Sequence, residues 1–326
     1  KQGHVVLSFD YHGYGNSTGD SGDMSVSGIE RDIASACDLV RGEGADSLSL
    51  LGIRWGAAPA CSVASSRGDI DSVYLINPVD NWKRQIGQAL RANVAGQYAI
   101  FRTVVRTREQ IISECLETGK CVEAGYMMNN IDGYVFSSDF YSEAVETAIP
   151  LEMPEHVKSV AVISIPDRPG PVTEDPLAGK MQVPGGQCEW IGLADDNAFW
   201  INNRIFTSFT PGLFEEIEKR MAEPVSTDPV PAAVPPKASV TFSADGIRET
   251  AVDLDSAEGY LLKAVIYEPE GGEKKDYGFV FTHGGLIGMN GAFRFNTRAA
   301  RRFAAAGFPS ICADTHGVGR SGGVME

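Results

Sequence analysis

Apolar positions along this chain switch between a continuous run, typical of a buried strand, and a helical spacing. Residues 4–9, "HVVLSF", form an apolar, β-rich run ending at Asp10 and a glycine-rich turn. Such a run predicts a strand of a parallel sheet, buried on both faces. "SVSGIERDIASACDLVRGEGA" opens on serines, sets Ile29, Ile33, Cys37 and Val40 at helical spacing and closes on glycines, so it predicts a helix. A strand "LSLLGI" (48–53), a helix "GAAPACSVASS" and a strand "VYLINPV" (73–79) come next. Strand and helix alternating in this way predict parallel pairing with right-handed crossovers.

Residues 80–150 break that rhythm and read as a helical cap with short irregular pieces. "SVAVISIP" (159–166) and "QCEWIGL" (187–193) resume the sheet, and the amphipathic "GLFEEIEKRMAE" (212–223) closes it. "PVSTDPVPAAVPPK" (224–237) carries five prolines and reads as a semi-extended linker. Beyond it, "RETAVDLDS" and "YLLKAVIYEP" predict two antiparallel strands. "YGFVFTHGG", a helix near "FRFNTRAARRFAAAGF" and "SICADTHG" then predict a buried strand, a helix and another buried strand. The expected fold class is α/β: a mostly parallel sheet flanked by helices, with a helical cap. The expected organisation is a domain over 1–223 with its cap at about 80–150, a linker over 224–240, and the opening part of a second such domain over 241–326.

One motif occurs at both ends. "SFDYHGYGNSTG" (8–19) and "CADTHGVGRSGG" (312–323) share the frame D-x-H-G-x-G-x-S-x-G, with aspartates 314 − 10 = 304 residues apart. These pieces resemble the α/β-hydrolase superfamily, in which a strand ending in His-Gly-Gly precedes a helix and the next strand ends in such a turn. Residues 247–323 match the opening of that fold and 4–220 match the remainder, so the resemblance spans nearly everything but the linker. Either the chain is a window one period long on tandem copies, or it is a permuted domain. A simple permutant has no need of the turn twice, which favours the tandem window. Because an open sheet edge is a liability, the two segments are expected to pack as one sheet.

Within that resemblance the nucleophile elbow belongs at "LSLLGIRWGAAPACSVA", where strand, sharp turn and helix follow one another. Its frame is Gly52-Ile53-Arg54-Trp55-Gly56, which places Arg54 in the nucleophile position and Trp55 beside it. A guanidinium stays protonated and has no lone pair to offer a carbonyl. Gly52 and Gly56 are expected to keep the corner's shape. The acid position falls on Asp167; the base loop, "ADDNAFWINN", holds Asp195 and Asp196 but no histidine. Nucleophile and base are therefore both missing, and losing one alone removes most triad catalysis. One of Asp167, Asp195 and Asp196 is expected to hold Arg54. His283-Gly284-Gly285 resembles the superfamily's oxyanion strand end, or is simply a strand-to-helix turn that needs glycine.

Ser17 and Ser321 also fit G-x-S-x-G, yet a loop separates each from its strand, so a local hydroxyl-to-backbone bond is the expected role. Cys61, inside a predicted helix, reads as an ordinary buried thiol. G-x-R-x-G, "VEAGY" (122–126) and "FW" (199–200) are also similar to hydrolase homologues associated with exosortase systems, near the serine aminopeptidase-like group. That likeness makes Arg54 a family trait.

Composition narrows the reading further. Among 326 residues, 43% hydrophobic, the formal charge is −15. That balance argues against nucleic acid and anionic membrane surfaces as partners. Six scattered cysteines predict reduced thiols rather than a disulfide framework, and no cofactor or metal is expected. With no apolar run of bilayer length and no visible signal peptide, a cytoplasmic location is expected, although the chain begins at Lys1 and not at Met. Within the cap the charge reverses: between Asp80 and Glu109 the charged residues are Lys83, Arg84, Arg91, Arg102, Arg106 and Arg108. That run reads either as a site for an anionic ligand beside Arg54 or as a solvated helix face paired with acidic neighbours. The functional expectation is a hydrolase-superfamily protein with a degenerate triad, serving as a non-catalytic binding or scaffold module. Its partners would be a small anionic or acyl ligand, or a neighbouring hydrolase-like domain. The alternative is an acyl hydrolase, of the ester or peptide class, whose nucleophile lies in a neighbouring copy.

Overall fold

A computed structural model describes residues 6–199, 210–221, 239–283 and 288–323. The chain divides into two compact units, one of Lys1–Phe9 and Met24–Ala233 and one of Asp10–Asp23 and Val234–Glu326. Residues 224–238 of the predicted linker, Trp200 and Gly284-Gly285 lie outside the described residues, while the linker's last two residues, 239–240, belong to a strand.

The first unit is α/β. Its sheet has the order β1 (Ser49–Ile53), β2 (Ser72–Ile76), β7 (Ser159–Ser164) and β8 (Gln187–Gly192), all parallel. Register is set by burial: Val73, Leu75, Val160 and Val162 point to one side of the sheet, Ile76, Ala161 and Ile163 to the other, and all are buried. Leu213 and Ile217 of α6 (Pro211–Met221) pack on Ile76, Ala161 and Ile163. Helix α2 (Ala57–Ser66) packs on β1 and β2, with α1 (Val26–Gly42) against it. Helix α1 starts where predicted, because the Ser25 hydroxyl accepts the Gly28 amide and so satisfies one of the free N–H groups of the first turn.

The cap lies between β2 and β7. It comprises α3 (Trp82–Phe101), α4 (Arg108–Thr118), α5 (Ser138–Glu146) and two short hairpins, β3 (Val122–Glu123) with β4 (Tyr126–Met127) and β5 (Asn130–Ile131) with β6 (Tyr134–Val135). "VEAGY" is the first hairpin, whose turn residues Ala124 and Gly125 have φ of 47° and 82°. Both central residues at positive φ give the turn whose twist suits paired strands.

The second unit has a mixed sheet, β12 (Phe279–Phe281), β13 (Ser310–Ala313), β11 (Leu261–Pro269), β10 (Ile247–Asp255) and β9 (Ser239–Ala244). Strands β12 and β13 run parallel; the remaining pairs are antiparallel. Helix α7 (Phe295–Ala305) covers it, burying Ala300 and Ala304 with Val265, Tyr267, Met289 and Cys312.

Two expectations change. Residues 6–9 form neither helix nor strand, and Val6 is 79% exposed. The matching run before the second turn is a strand because β11 and β12 flank it; apolar β-rich sequence makes a strand only where a ladder partner exists. "YGFVFTHGG" is an edge strand rather than a buried one, with Val280 74% exposed. Besides the two cap hairpins, the described strands form a four-stranded sheet in the first unit and a five-stranded sheet in the second. Strand β9 is additional; its hairpin with β10 turns at Asp245-Gly246, a D-G pair that is itself a hairpin signal.

Candidate functional site

In the first unit the carboxyl ends of four parallel strands gather the predicted residues, which is where open α/β sheets place their ligands. Strand β1 runs directly into Arg54, a single 3-10 turn (Arg54–Gly56) follows, and α2 leaves at Ala57. Gly52 is required by space: a Cβ there would stand 2.7 Å from the Gly56 carbonyl oxygen and 2.8 Å from the Ala57 Cα. Gly56 has an ordinary φ of −65°. Arg54 has φ +53°, a left-handed conformation that costs a non-glycine residue about 1 kcal/mol. The strand–corner–helix shape expected of an elbow is present, and arginine occupies its corner.

The Arg54 Nη1 donates to the Asn77 carbonyl oxygen at 3.4 Å, and the Arg54 carbonyl accepts from the Val79 amide. Burial pushes the Arg54 guanidinium down from its ordinary value, while the Asp167 charge acts in the opposite direction. Asp167, one of the three expected carboxylates, thus acts on the Arg54 charge. Asp196 is committed elsewhere: buried, it accepts the Gly212 and Leu213 amides at 3.0 and 2.7 Å and caps the start of α6. Asp195 is exposed.

Asn77, which sequence reasoning passed over, ties the strand ends together. Its side chain accepts the Ile165 amide at 2.7 Å and donates to the Ile165 carbonyl at 2.8 Å, while its own amide bonds Ile163. Its φ of 41° is one that asparagine tolerates better than most residues, and this is the only trace it leaves in sequence. Trp55 meets Trp82 of the cap edge to face, with centroids 4.8 Å apart, and Phe140 of α5 stands 6.2 Å from Trp82. The residue beside the corner is therefore packed against cap aromatics.

The cationic run of the cap is partly neutralised. Arg84 pairs with Asp80, Arg106 with Glu114 and Glu123, and Arg108 with Glu109, at 2.7–3.3 Å. Among the described residues Lys83, Arg91 and Arg102 show no ion pair. An open cavity of about 320 Å³ is lined by Arg91, Val94, Val104, Thr107, Arg108 and Glu109. Cys61 is fully buried, and burial pushes its thiol up to about 12, which makes it a poor nucleophile.

In the second unit the two D-x-H-G-x-G-x-S-x-G turns share one hydrogen-bond pattern. The Asp10 carboxylate accepts the Asn16 amide, and the Asp314 carboxylate accepts the Arg320 amide. Gly13 N–H donates to Thr18 C=O in one turn and Gly317 N–H to Gly322 C=O in the other. Ser17 Oγ donates to the Asp10 carbonyl at 2.6 Å and Ser321 Oγ to the Asp314 carbonyl at 2.9 Å. Both hydroxyls are therefore engaged with local backbone, the role expected of them. His283 Nε2 accepts the Thr315 amide at 3.4 Å, and its buried Nδ1 has no hydrogen-bond partner among the described residues.

All six cysteines are free thiols, and among the described residues no group of acidic, His or Cys side chains could hold a metal ion. Among the described residues, no helix is long and apolar enough to cross a membrane. No protein-family model and no curated protein matches the chain.

Proposed function

We propose that this chain is an α/β-hydrolase-superfamily protein that serves as a non-catalytic binding or scaffold module. The observation that carries the reading is Arg54, held in a left-handed corner between β1 and α2 with its guanidinium turned to the Asn77 carbonyl. A permanently charged donor at that corner recognises acceptors and attacks nothing. The ligand class this favours is a small molecule bearing a carboxylate or an acyl carbonyl, which Arg54 would engage as donor.

A serine-directed fluorophosphonate probe tests the reading. The chain should remain unlabelled under conditions that label an active serine hydrolase to completion. Labelling at Ser17 or Ser321 would overturn it. A longer product of the same coding region that is labelled, while residues 1–326 stay blank, would favour the acyl-hydrolase alternative, with the nucleophile in a neighbouring copy.

A further inference from the structure

The open cavity of the cap, about 320 Å³, lies where α3 faces the start of α4. Gly87, Arg91 and Val94 follow one another on α3 at the spacing of one helix face. A Cβ at residue 87 would stand 3.8 Å from the Arg108 Nη1 and 4.0 Å from the Arg91 Nη1. Two guanidinium groups, one from α3 and one from the first residue of α4, therefore converge on one point. Like charges drawn together repel each other, and an anion between them offsets that cost.

Glu109 is the acid on this wall. Its Oε1 accepts from the Arg108 Nε and Nη2 at 3.0 and 2.7 Å, on the side of the fork away from Nη1. Among the described residues, the Arg108 Nη1 and the exposed Arg91 guanidinium make no hydrogen bond or ion pair. Between Asp80 and Glu109 the sequence supplies no acid that could neutralise them. The positive end of the α4 dipole falls at the same wall and favours negative charge within its first turn.

The wall is held in place from behind. Buried Gln97 of α3 accepts the Val105 and Arg106 amides at 3.1 and 3.0 Å, which ties the turn between the two helices to α3. Arg106 is fixed in turn by Glu114 and Glu123 at 2.9 and 2.8 Å. The Thr107–Gln110 capping box sets the first turn of α4, and Arg108 with it. A site whose backbone is already ordered loses less entropy when a ligand arrives. Val94 and the 45% exposed Val104 give the cavity an apolar side next to its cations.

We propose that this cavity binds an organic phosphate monoester. Arg91 and Arg108 take the phosphate oxygens, and Val94 and Val104 cover an apolar group attached to the phosphate. A phosphate monoester carries close to two charges at pH 7, so each guanidinium meets a charge of its own, which a single carboxylate does not offer. The cavity has the volume of a small-molecule site, for which roughly 300–1,000 Å³ is usual. It shares no residue with the Arg54 corner and does not rest on the reading of that corner.

Titration calorimetry on the full chain, in a phosphate-free buffer, tests this with phenyl phosphate, inorganic phosphate and benzoate as probes. Phenyl phosphate should bind saturably and several-fold tighter than either of the others. Arg91→Ala and Arg108→Ala should each weaken it about tenfold, the loss of one charge-assisted contact. Gly87→Leu should weaken it as much without removing a charge, because its side chain occupies the point on which the two arginines converge. Leucine is also a better helix former than glycine, so that variant keeps α3. Phenyl phosphate binding that survives all three substitutions overturns the proposal, as does the absence of saturable binding. Binding lost in Arg54→Ala and kept in Arg91→Ala also overturns it, since the ligand then sits at the corner. Inorganic phosphate or benzoate binding as tightly as phenyl phosphate overturns the assignment of an organic phosphate.

Discussion

Asp10 and Asp314 stand in the same position of two turns of one design, each accepting the amide six residues on while its own carbonyl accepts a serine hydroxyl seven residues on. Their surroundings separate them. Asp314 is 3% exposed and also accepts the buried Met289 amide at 2.6 Å, whereas the Asp10 side chain is 33% exposed. Asp314→Ala leaves that amide without a partner and should cost about 1–3 kcal/mol. Asp10→Ala, whose orphaned amide water can reach, should cost less. Urea unfolding curves on the two variants check the order.

Gly52 and Gly96 make a contrast of packing. A Cβ at 52 meets the Gly56 carbonyl and the Ala57 Cα, while at 96, inside α3, it meets nothing within 4 Å. Gly52→Val should destabilise by about 1–3 kcal/mol through overpacking. Gly96→Ala should stabilise by about 0.5–1 kcal/mol, since alanine loses less backbone entropy in a helix. Thermal and urea midpoints measure both.

Replacing Arg54 should not create an enzyme. In Arg54→Ser the hydroxyl arrives at the corner, but the predicted base loop supplies aspartates and no imidazole. Turnover of an activated ester should stay at the background rate, and fluorophosphonate labelling should remain absent. Labelling of Arg54→Ser comparable to that of an active serine hydrolase would show that a base had been overlooked.

Asp69 sets an acid limit. The Arg67 guanidinium bonds both its oxygens, at 2.9 and 2.8 Å, and holds its carboxyl below the usual value of 3.8. A lowered carboxyl favours the folded state above the unfolded value, and that contribution fades as pH falls through the folded one. Asp69→Asn should therefore lose up to about 1 kcal/mol at pH 7, given solvent screening of a part-exposed pair. The difference from the unmodified chain should shrink below pH 3.8. Urea midpoints from pH 7 down to about pH 2 follow the convergence.

Cys61 offers a check on the site's inertness. Its thiol is fully buried and held near 12, so a disulfide reagent should leave it unmodified in the native state at pH 8 and label it once urea unfolds the chain. Rapid native labelling at Cys61 would contradict the packing of α2.

The features legible in sequence were those a few adjacent residues decide. Ser25 ahead of a helical spacing fixed the start of α1, the glycines of each turn fixed its positive φ values, and the run into Arg54 followed by small residues fixed a strand, a corner and a helix. Asp132-Gly133 and Asp245-Gly246 carried hairpin signals of the same local kind that went unread. Asn77 left almost no trace, because its value lies in bonds to Ile165, 88 residues away.

What the sequence by itself determined is therefore conformational: turns, caps, apolar periods and the identity of the side chain at the corner, all set by sterics and hydrogen bonds within a short span. The tertiary structure alone decided which apolar run became a strand, since "HVVLSF" and "SICADTHG" carry the same signal, yet residues 6–9 form no strand while 310–313 lie between β11 and β12. It alone decided that Asp196 caps α6 and that Arg294 closes on Gly13, 281 residues away. A polar side chain's role is fixed by which unpaired donors and acceptors the fold brings within 3 Å or so of it, and chain order does not encode that neighbourhood.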